Sequence, residues 1–394
     1  MGFIQEYMAQ NLNGDQLTLE LMNLIAQYNQ KFDSYMLVYA TDTDKDVPPQ
    51  RVALGMRDYQ ILFDMLQGVE RKKLDFYLET PGGSGEAAEE IVRLTRRNFG
   101  KVNFVIAGEC KSAGTLMALS GNEIYMTDSG SLGPIDAQMH IGRSQISAHD
   151  YMKWVEDKQK AYSEEQSINP FDAILVAQIS PGELIGVENA LNYAHDLVTE
   201  WLPKYKFSGW ARTESRRIPV TEKMKKERAK EISEALSDHT TWRTHGRSLK
   251  LEDLNRIKLK AICIDDDKER AELVYRIHAV VRMLFLATPI FKIYATEKDK
   301  LFESAAPITQ TTVPVPGQQD TQLAEIQLGC TKCGKPHNFY VRFEPDTQIE
   351  EQMKAKGVIK LPAEGNYTCD NCNNIIELDL IRNQLESQTG KKVL

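Results

Sequence analysis

Two short segments of this 394-residue chain contain the residue types that acyl transfer requires. The first is Thr80-Pro81-Gly82-Gly83, and the second is Lys111-Ser112-Ala113-Gly114-Thr115. Acyl transfer needs a nucleophile at an exposed turn and backbone N–H groups that point at the oxygen that becomes negatively charged. A serine followed by a small residue, together with a glycine pair that has no Cβ, meets both needs.

Each segment is a common pattern when it is taken alone. Pro-Gly-Gly is an ordinary turn, and a serine before a helix is typical of an N-cap. The order of the segments is more specific, because one apolar run ends in TPGG, the next ends in KSAG, and a third leads into GSLGPID. A serine between a strand and a helix also lies where free N–H groups and the helix dipole favour negative charge. The composite pattern therefore favours Ser112 as a nucleophile.

Strands and helices alternate around these segments. Four short apolar runs predict strands at 34–41, 74–80, 101–108 and 122–128. Helical spacing predicts helices at 15–32 and 57–72, after the TPGGSG turn, and from residue 112 onward. Such alternation predicts parallel β-α units in an α/β core, and the chain from 150 to 260 reads as mainly helical.

Residues 74–136 closely resemble the Clp-protease superfamily. The pieces that match are ETPGGSGEAAEEIVRLTRR, GECKSAGTLMALSGNEIYM and DSGSLGPIDAQ. The sequence is most similar to the serine dehydrogenase proteinase family, which is related to signal peptide peptidase A and the NfeD-type serine proteases. The resemblance extends over roughly residues 35–260, where YMKWVEDK and TTWRTHGRSL match more weakly. It implies a Clp-protease/crotonase-like α/β core of β-α units with a helical extension.

The resemblance also implies roles for individual residues. Ser112 would be the nucleophile of a serine peptidase, and the N–H groups of Gly83 and Ala113 would form the oxyanion hole. The substrate would be a polypeptide, and the protein would be a homo-oligomer. Nothing in the chain resembles a dinucleotide-binding GxGxxG loop, so dehydrogenase chemistry is not expected despite the family name.

The general base is less clear than the nucleophile. Clp proteases proper carry a histidine in the segment that here reads GSLGPIDAQM, which has none. The signal peptide peptidase and NfeD relatives use a lysine, which must be neutral to accept a proton. Three lysines follow Ser112 by 41 to 48 residues: Lys153, Lys158 and Lys160. Lys158 is our choice for a Ser-Lys dyad, because it lies in the matching VEDK segment near the apolar Trp154, although three nearby lysines are also typical of an exposed helix face.

His245 is the other candidate base. It lies in TTWRTHGR, which resembles a histidine-containing segment of the serine dehydrogenase proteinases. A histidine beside Arg and Gly also commonly caps a helix or bridges subunits. Asp136 could orient a neighbouring side chain or simply cap a turn.

Four cysteines between residues 330 and 372 form two C-x-x-C pairs. Cys330 and Cys333 make the first pair, and Cys369 and Cys372 make the second. This spacing predicts a structural Zn²⁺ site with four thiolate ligands in a small β-rich zinc ribbon. His337 is a conceivable substitute ligand that four cysteines make unnecessary. The ribbon is expected to dock another protein or a nucleic acid, and the sequence leaves that choice open.

The sequence predicts four regions. They are an N-terminal helical segment (1–33), a Clp-protease-like domain (34–302), a Pro-, Thr- and Gln-rich linker (303–324) and the zinc ribbon (325–394). A net charge of -8 gives no general attraction to nucleic acid or anionic lipid. No apolar run approaches the length of a membrane span, and no signal-peptide core is apparent, so we expect a cytoplasmic protein without a transmembrane segment.

Two other functions compete with proteolysis at this stage. The uncertain base is compatible with a catalytically inactive Clp-fold scaffold or binding protein that uses the ribbon as a docking module. A crotonase-type acyl-CoA enzyme shares the oxyanion geometry but does not need a serine nucleophile. Labelling of Ser112 by a fluorophosphonate, or binding of CoA, would separate these alternatives.

Overall fold

The computed structural model describes most of the chain and divides into two compact units. The described residues are 2–141, 144–167, 169–305, 323–330, 335–343, 350, 353, 356, 358–362, 365–378, 382, 386 and 392. The first unit is Met1–Ala305 and the second is Ala306–Leu394. Each unit is described below by itself.

The first unit is organised around a seven-stranded mixed sheet. The strands of this unit are β1 Tyr35–Thr41, β2 Lys73–Glu79, β3 Lys101–Ile106, β4 Glu109–Cys110, β5 Glu123–Met126, β6 Ser131–Leu132, β7 Gln138–Ile141, β8 Ser144–Ser147, β9 Ile262–Cys263, β10 Ile290–Ala295 and β11 Lys300–Ser304. The order in the sheet is β11-β10-β1-β2-β3-β5-β9. Strands β1, β2, β3, β5 and β9 are parallel, whereas β10 pairs antiparallel with both β1 and β11. The carboxyl ends of the parallel strands therefore lie at one edge of the sheet.

Helices cover both faces of this sheet. They are α1 Phe3–Gln10, α2 Gly14–Phe32, α3 Pro49–Val52, α4 Met56–Met65, α5 Gly85–Asn98, α6 Ala113–Leu119, α7 Ala148–Glu165, α8 Pro170–Val176, α9 Pro181–Trp201, α10 Glu222–Ser237, α11 His239–Trp242, α12 Leu251–Arg256 and α13 Lys268–Ala287. A π-helical turn (Leu202–Lys206) and a 3₁₀ turn (Ile264–Asp266) also belong to the first unit.

Side chains of the central strands point alternately to the two faces of the sheet, and each face packs into its own hydrophobic core. In β1, Leu37 and Tyr39 pack into the core shared with α4, α5, α6, α9 and α10, whereas Met36 and Val38 pack against α2 and α13. Successive strand side chains point to opposite faces, so a strand that is apolar on both faces must be covered on both. This explains why the buried strands read as continuous apolar runs.

Local signals fix the helix that follows the glycine-rich turn. Helix α5 begins after Ser84, whose hydroxyl accepts a hydrogen bond from Ala87 N–H at 3.1 Å. Its apolar residues recur at helical spacing and are buried, among them Ala88, Ile91 and Val92. The cap and the periodicity together set where the turn ends and the helix begins.

The second unit contains a small β-rich module. Its strands are β12 Leu323–Gly329, β13 Pro336–Arg342, β14 Ile359–Lys360, β15 Asn366–Thr368 and β16 Ile375–Glu377. They form a three-stranded sheet, β12-β13-β14, and a two-stranded sheet, β15-β16. Phe339, Val341 and Leu378 are buried in a core that also contains Cys330 and Cys369.

The predicted α/β fold class is confirmed, and so are the four predicted strands of its core. The helix predicted at 57–72 is shorter, because α4 ends at Met65. Helix α13 and the hairpin β10–β11 were not predicted. The predicted linker 303–324 lies largely outside the described residues, and the bounds of the four predicted regions remain predictions. No helix among the described residues has the length and apolar character needed to cross a membrane.

A buried ion pair connects strand β10 to the first turn of α4. Lys292 Nζ lies 2.9 Å from Asp58 Oδ1 and 3.1 Å from the carbonyl oxygen of Ala53. Asp58 also accepts hydrogen bonds from Gly55 N–H and from the Tyr294 hydroxyl. Both charged side chains are almost fully buried, so each depends on the other for compensation.

We predict that Asp58→Ala lowers the free energy of unfolding by about 3–5 kcal/mol, because it leaves the Lys292 ammonium buried without its carboxylate. Urea unfolding followed by tryptophan fluorescence measures this change. Glu234→Ala, which breaks an exposed pair with Lys230, is the control and is expected to cost about 0.5 kcal/mol or less. Equal costs for the two variants would contradict the prediction.

Candidate active site and metal centre

The two sequence-predicted turns meet through backbone hydrogen bonds. Thr80 N–H donates to the carbonyl of Glu109 at 2.8 Å, and Lys111 N–H donates to the carbonyl of Thr80 at 2.9 Å. Because β2 and β3 are neighbouring parallel strands, their carboxyl ends bring these segments side by side. The glycine-rich turn therefore lies directly against the Ser112 turn.

Two glycines make this contact possible. Gly82 has φ +100°, and a Cβ there would lie 2.6 Å from Ser112 Cβ and 3.3 Å from Ala113 N. Gly83 has φ +152°, and a Cβ there would lie 2.2 Å from the carbonyl oxygen of Leu54. Neither the backbone conformation nor the space allows another residue type at these positions.

Ser112 occupies a strained turn rather than an ordinary helix cap. Its φ of 49° and ψ of -116° are values usually reserved for glycine, and the carbonyl of Lys111 accepts a hydrogen bond from Gly114 N–H across the turn at 2.8 Å. The serine hydroxyl makes no capping hydrogen bond to α6. The N-cap explanation for this serine is thus not supported, and strain of this kind clusters at functional sites.

Two backbone N–H groups beside Ser112 are available to an oxygen of a ligand. Ala113 is the first residue of α6, where N–H groups have no partner within the helix. Gly83 N–H donates no hydrogen bond to any of the described residues. Leu54 binds the flanking groups instead, since its N–H donates to the Gly82 carbonyl at 2.8 Å and its carbonyl accepts from Ser84 N–H at 2.9 Å.

These groups line a cleft of about 920 Å³. Ser112, Gly83, Asp136 and His245 all contribute to its walls. Helix α9 forms another wall, where Tyr193 donates a hydrogen bond to Glu89 at 2.5 Å. The cleft therefore brings the predicted nucleophile together with His245, one of the four candidate bases.

Asp136 holds His245 in a defined orientation. Asp136 is buried, and its Oδ1 lies 2.8 Å from Nδ1 of His245. A carboxylate can only accept, so Nδ1 carries the proton of this bond and Nε2 of a neutral ring is left as an acceptor. Burial raises the pKa of Asp136, but hydrogen bonds and charge from His245 and His239 outweigh it and hold that pKa below its usual value.

A second histidine on the same carboxylate was missed by the sequence analysis. His239 Nδ1 lies 3.2 Å from Asp136 Oδ2, and its Nε2 lies 3.2 Å from Asp150 Oδ2 in the first turn of α7. Gln138 Nε2 also donates to Asp136 at 2.7 Å. His239 and Asp136 are 103 residues apart, and no local pattern in the sequence signals that they meet.

The three lysine candidates lie on α7, and none of them is among the described residues that line the cleft. Lys158 Nζ lies 2.8 Å from Asp172 Oδ2 in α8 and 5.8 Å from the centre of the Trp154 ring. Lys160 lies 4.0 Å from Glu164, and Lys153 is exposed. The amine of Lys158 is thus engaged with a carboxylate in this structure.

Three of the four predicted metal ligands lie together in the second unit. Ligand atoms of Cys330, Cys369 and Cys372 lie within 4.8 Å of one another, and the sulfurs of Cys330 and Cys372 are 3.5 Å apart. Cys333 lies outside the described residues. A tetrahedral ion with Zn–S bonds of about 2.3 Å spaces its sulfurs by about 3.8 Å, so the cluster fits a metal ion. His337 Nε2 lies 3.3 Å from the Cys369 sulfur, and the imidazole is buried.

Two curated proteins are similar to parts of this chain. An uncharacterized protein of Methanocaldococcus jannaschii is 24% identical over 170 residues, which is 42% of this chain and 58% of that protein. A second uncharacterized protein of the same organism is 33% identical over 70 residues, or 18% of this chain and 24% of that protein. The chain thus matches less than two thirds of the length of these relatives.

Solved structures give weaker matches. The membrane-bound stomatin-specific protease 1510-N is 14% identical, with a TM-score of 0.32 over 56% of this chain and 79% of that chain. The same protease in complex with a substrate peptide is 15% identical, with a TM-score of 0.31 over 55% of this chain and 72% of that chain.

The match to a family is more specific than the matches to individual proteins. Residues 57–199 match the profile of the ClpP-like SDH-type serine proteinases. The matched range contains the glycine-rich turn and Ser112, which meet at the cleft described above. Over residues 57–199, this chain is therefore similar to the ClpP-like SDH-type serine proteinases.

Proposed function

We propose that the cleft hydrolyses peptide bonds through an acyl-enzyme on Ser112. The observation that carries this proposal is the strained Ser112 turn, which lies against Gly82 in a cleft that also contains the Asp136–His245 pair. A helix cap or a plain structural serine would need neither the strain nor the open cleft. The substrate class that fits this chemistry is an extended polypeptide.

His245 is the general base in this proposal, and Asp136 is its orienting partner. His245 Nε2 takes the proton of the Ser112 hydroxyl as Oγ attacks the peptide carbonyl carbon. The N–H groups of Gly83 and Ala113 donate to the carbonyl oxygen as it becomes negative. The imidazolium then gives its proton to the departing amine, which breaks the C–N bond and leaves an ester on Ser112.

Water completes the cycle by the same route. His245 takes a proton from a water molecule as that water attacks the ester carbonyl, and the proton returns to Ser112 Oγ when the C–O bond breaks. The buried carboxylate of Asp136 stabilises the imidazolium in both halves of the reaction. The low pKa of Asp136 supports this role, because the carboxylate stays ionised around neutral pH.

The Ser-Lys dyad with Lys158 is the competing assignment of the base. It rests on the resemblance of the VEDK segment, and it requires the 2.8 Å contact between Lys158 and Asp172 to break before the amine can reach Ser112. The Asp136–His245 pair needs no such rearrangement to reach the cleft, since both residues already line it. We therefore favour His245, and variants at both positions decide between them.

The cysteine cluster is proposed to bind a structural Zn²⁺ ion. Thiolates of Cys330, Cys333, Cys369 and Cys372 would supply four ligands, which leaves no open position for catalysis. His337 contacts Cys369 and would orient that ligand from outside the coordination sphere. A homo-oligomeric state and a docking role for this module also remain predictions.

We predict that Ser112→Ala reduces hydrolysis of fluorescently labelled casein by at least 1,000-fold, because it removes the nucleophile. His245→Ala should reduce hydrolysis to a similar extent, whereas Lys158→Ala should retain most of it. His195→Ala, a histidine on α9 that hydrogen-bonds Ser233 outside the cleft, is the matched control. Full activity of His245→Ala together with an inactive Lys158→Ala would replace the histidine base with the lysine dyad.

Asp136→Asn is predicted to slow casein hydrolysis by about 10,000-fold, because an amide can hold His245 in the wrong tautomer.

The free energy of unfolding should also differ between Asp136→Asn and the wild-type protein. The pKa of Asp136 is lower in the folded state than in the unfolded state. The ionised carboxylate therefore stabilises the folded protein at pH values above its ordinary pKa of about 3.9. That contribution disappears as pH falls through the lowered folded-state value. Urea unfolding of the wild-type protein and of Asp136→Asn between pH 3 and pH 7 measures their free energies of unfolding. The difference between the two should become smaller toward acid pH, and a difference that grows would contradict the lowered pKa of Asp136.

Removal of metal is predicted to unfold the second unit while the first remains folded, because a module of this size lacks a sufficient core of its own. Bound zinc should be measurable by atomic absorption, and dialysis against a chelator should increase protease sensitivity within 306–394. Cys372→Ser should reproduce this effect without chelator, and Cys263→Ser in the first unit is the control. Equal zinc content in Cys372→Ser and the wild-type protein would exclude Cys372 as a ligand.

A further inference from the structure

Lys111, the residue before the proposed nucleophile, turns its side chain into the protein interior. The side chain is only 7% exposed. Its amine lies 2.7 Å from Ser248 Oγ, 3.2 Å from Ser131 Oγ, and 3.4 Å from the carbonyl oxygens of Leu132 and Arg247. A buried ammonium with four oxygen partners is a costly arrangement that the peptidase steps above do not use.

The four partners of this amine belong to two segments. Ser131 and Leu132 form β6, which pairs with β4 immediately before the Ser112 turn. Arg247 and Ser248 belong to the segment that carries His245. Lys111 therefore connects the nucleophile turn to the loop that presents the proposed base.

Backbone contacts make the same connection rigid. Leu249 and Leu132 exchange N–H···O hydrogen bonds of 2.9 and 3.1 Å, so the segment after His245 is paired with β6. Lys111 itself closes the Ser112 turn through its carbonyl and is anchored to Thr80 through its N–H. A Cβ at Gly133 would lie 2.9 Å from Lys111 Cδ, so the glycine leaves room for the lysine stem.

We propose that Lys111 is a positioning residue that sets the distance between Ser112 and His245. The inference rests on the proposed function, because it assigns Lys111 a role through the His245 base. The amine donates to fixed oxygens on β6 and on the 247–248 segment, and it thereby holds the base-bearing loop against the nucleophile turn. Lys111 transfers no proton in this role.

Other charged groups near the amine do not replace these contacts. Glu109 Oε1 lies 3.7 Å from Lys111 Nζ, but the Glu109 side chain is largely exposed. Lys250 is a further nearby cation whose own amine donates to the carbonyls of Ser129 and Gly130. Burial lowers the pKa of Lys111, and Glu109 opposes that shift. Lys111 is thus held mainly by hydroxyl and carbonyl oxygens of the two segments that it joins.

The test measures how fast a fluorophosphonate probe labels Ser112 as the probe concentration is varied. This experiment separates the affinity for the probe from the maximal labelling rate. Lys111→Met should lower the maximal rate by about 100-fold with little change in affinity, because a misplacement of about 1 Å has an effect of this size. Lys206→Met is the matched control, because it also removes a buried amine paired with a glutamate but lies outside the described lining of the cleft. It should label at the wild-type rate.

A double-variant comparison shows whether Lys111 acts through His245. Adding Lys111→Met to His245→Ala should cause no further loss, since the base that Lys111 positions is already absent. A further 100-fold loss in that background would overturn the inference, as would wild-type labelling by Lys111→Met. Full labelling by His245→Ala alone would instead reject the histidine base of the proposed function.

Two more variants keep the test decisive if Lys111→Met does not fold. Ser248→Ala removes the closest partner of the amine and should lower the maximal rate by about 10-fold, with an unchanged circular dichroism spectrum. Lys111→Arg keeps the cation and its donors and should recover part of the rate that Lys111→Met loses. Wild-type labelling by a folded Ser248→Ala would count against the role of Lys111.

Discussion

The close contact between Gly82 and Ser112 is the constraint on which the rest of the site depends. No Cβ fits between the two turns, and both residues have backbone conformations that are rare outside glycine. The contact persists because Thr80 exchanges backbone hydrogen bonds with the segment from Glu109 to Lys111. A backbone ladder therefore supports the strain at Ser112.

The sheet explains why this contact could be anticipated from the sequence. Strands β2 and β3 are parallel neighbours, so the segments that follow them must emerge at the same edge. Local sequence patterns reveal the apolar runs of these strands, and they also reveal the glycine and the serine that follow. The Ser112 turn and the glycine turn are thus predictable as a pair, since each lies a few residues beyond a recognisable strand.

The partners of the proposed nucleophile could not be predicted in the same way. Asp136 and His245 are 109 residues apart, and the histidine reaches the cleft through pairing of Leu249 with β6. Likewise, the hairpin β10–β11 joins β1 from nearly 250 residues away along the chain. Lys158 was chosen on a sequence match, and its pairing with Asp172 depends on how α7 and α8 meet. Long-range packing decides each of these contacts, and no short pattern encodes it.

The hydrogen bonds between Leu54 and the glycine segment limit the direction from which a ligand can approach Gly83. Leu54 holds the carbonyl of Gly82 and the N–H of Ser84, which turns the intervening N–H of Gly83 to the opposite side. Leu54 thus occupies one edge of the glycine segment and leaves the other edge open. In the proposed function, an extended peptide would therefore run alongside Gly83 on that unoccupied side, and Leu54 would exclude it from the other.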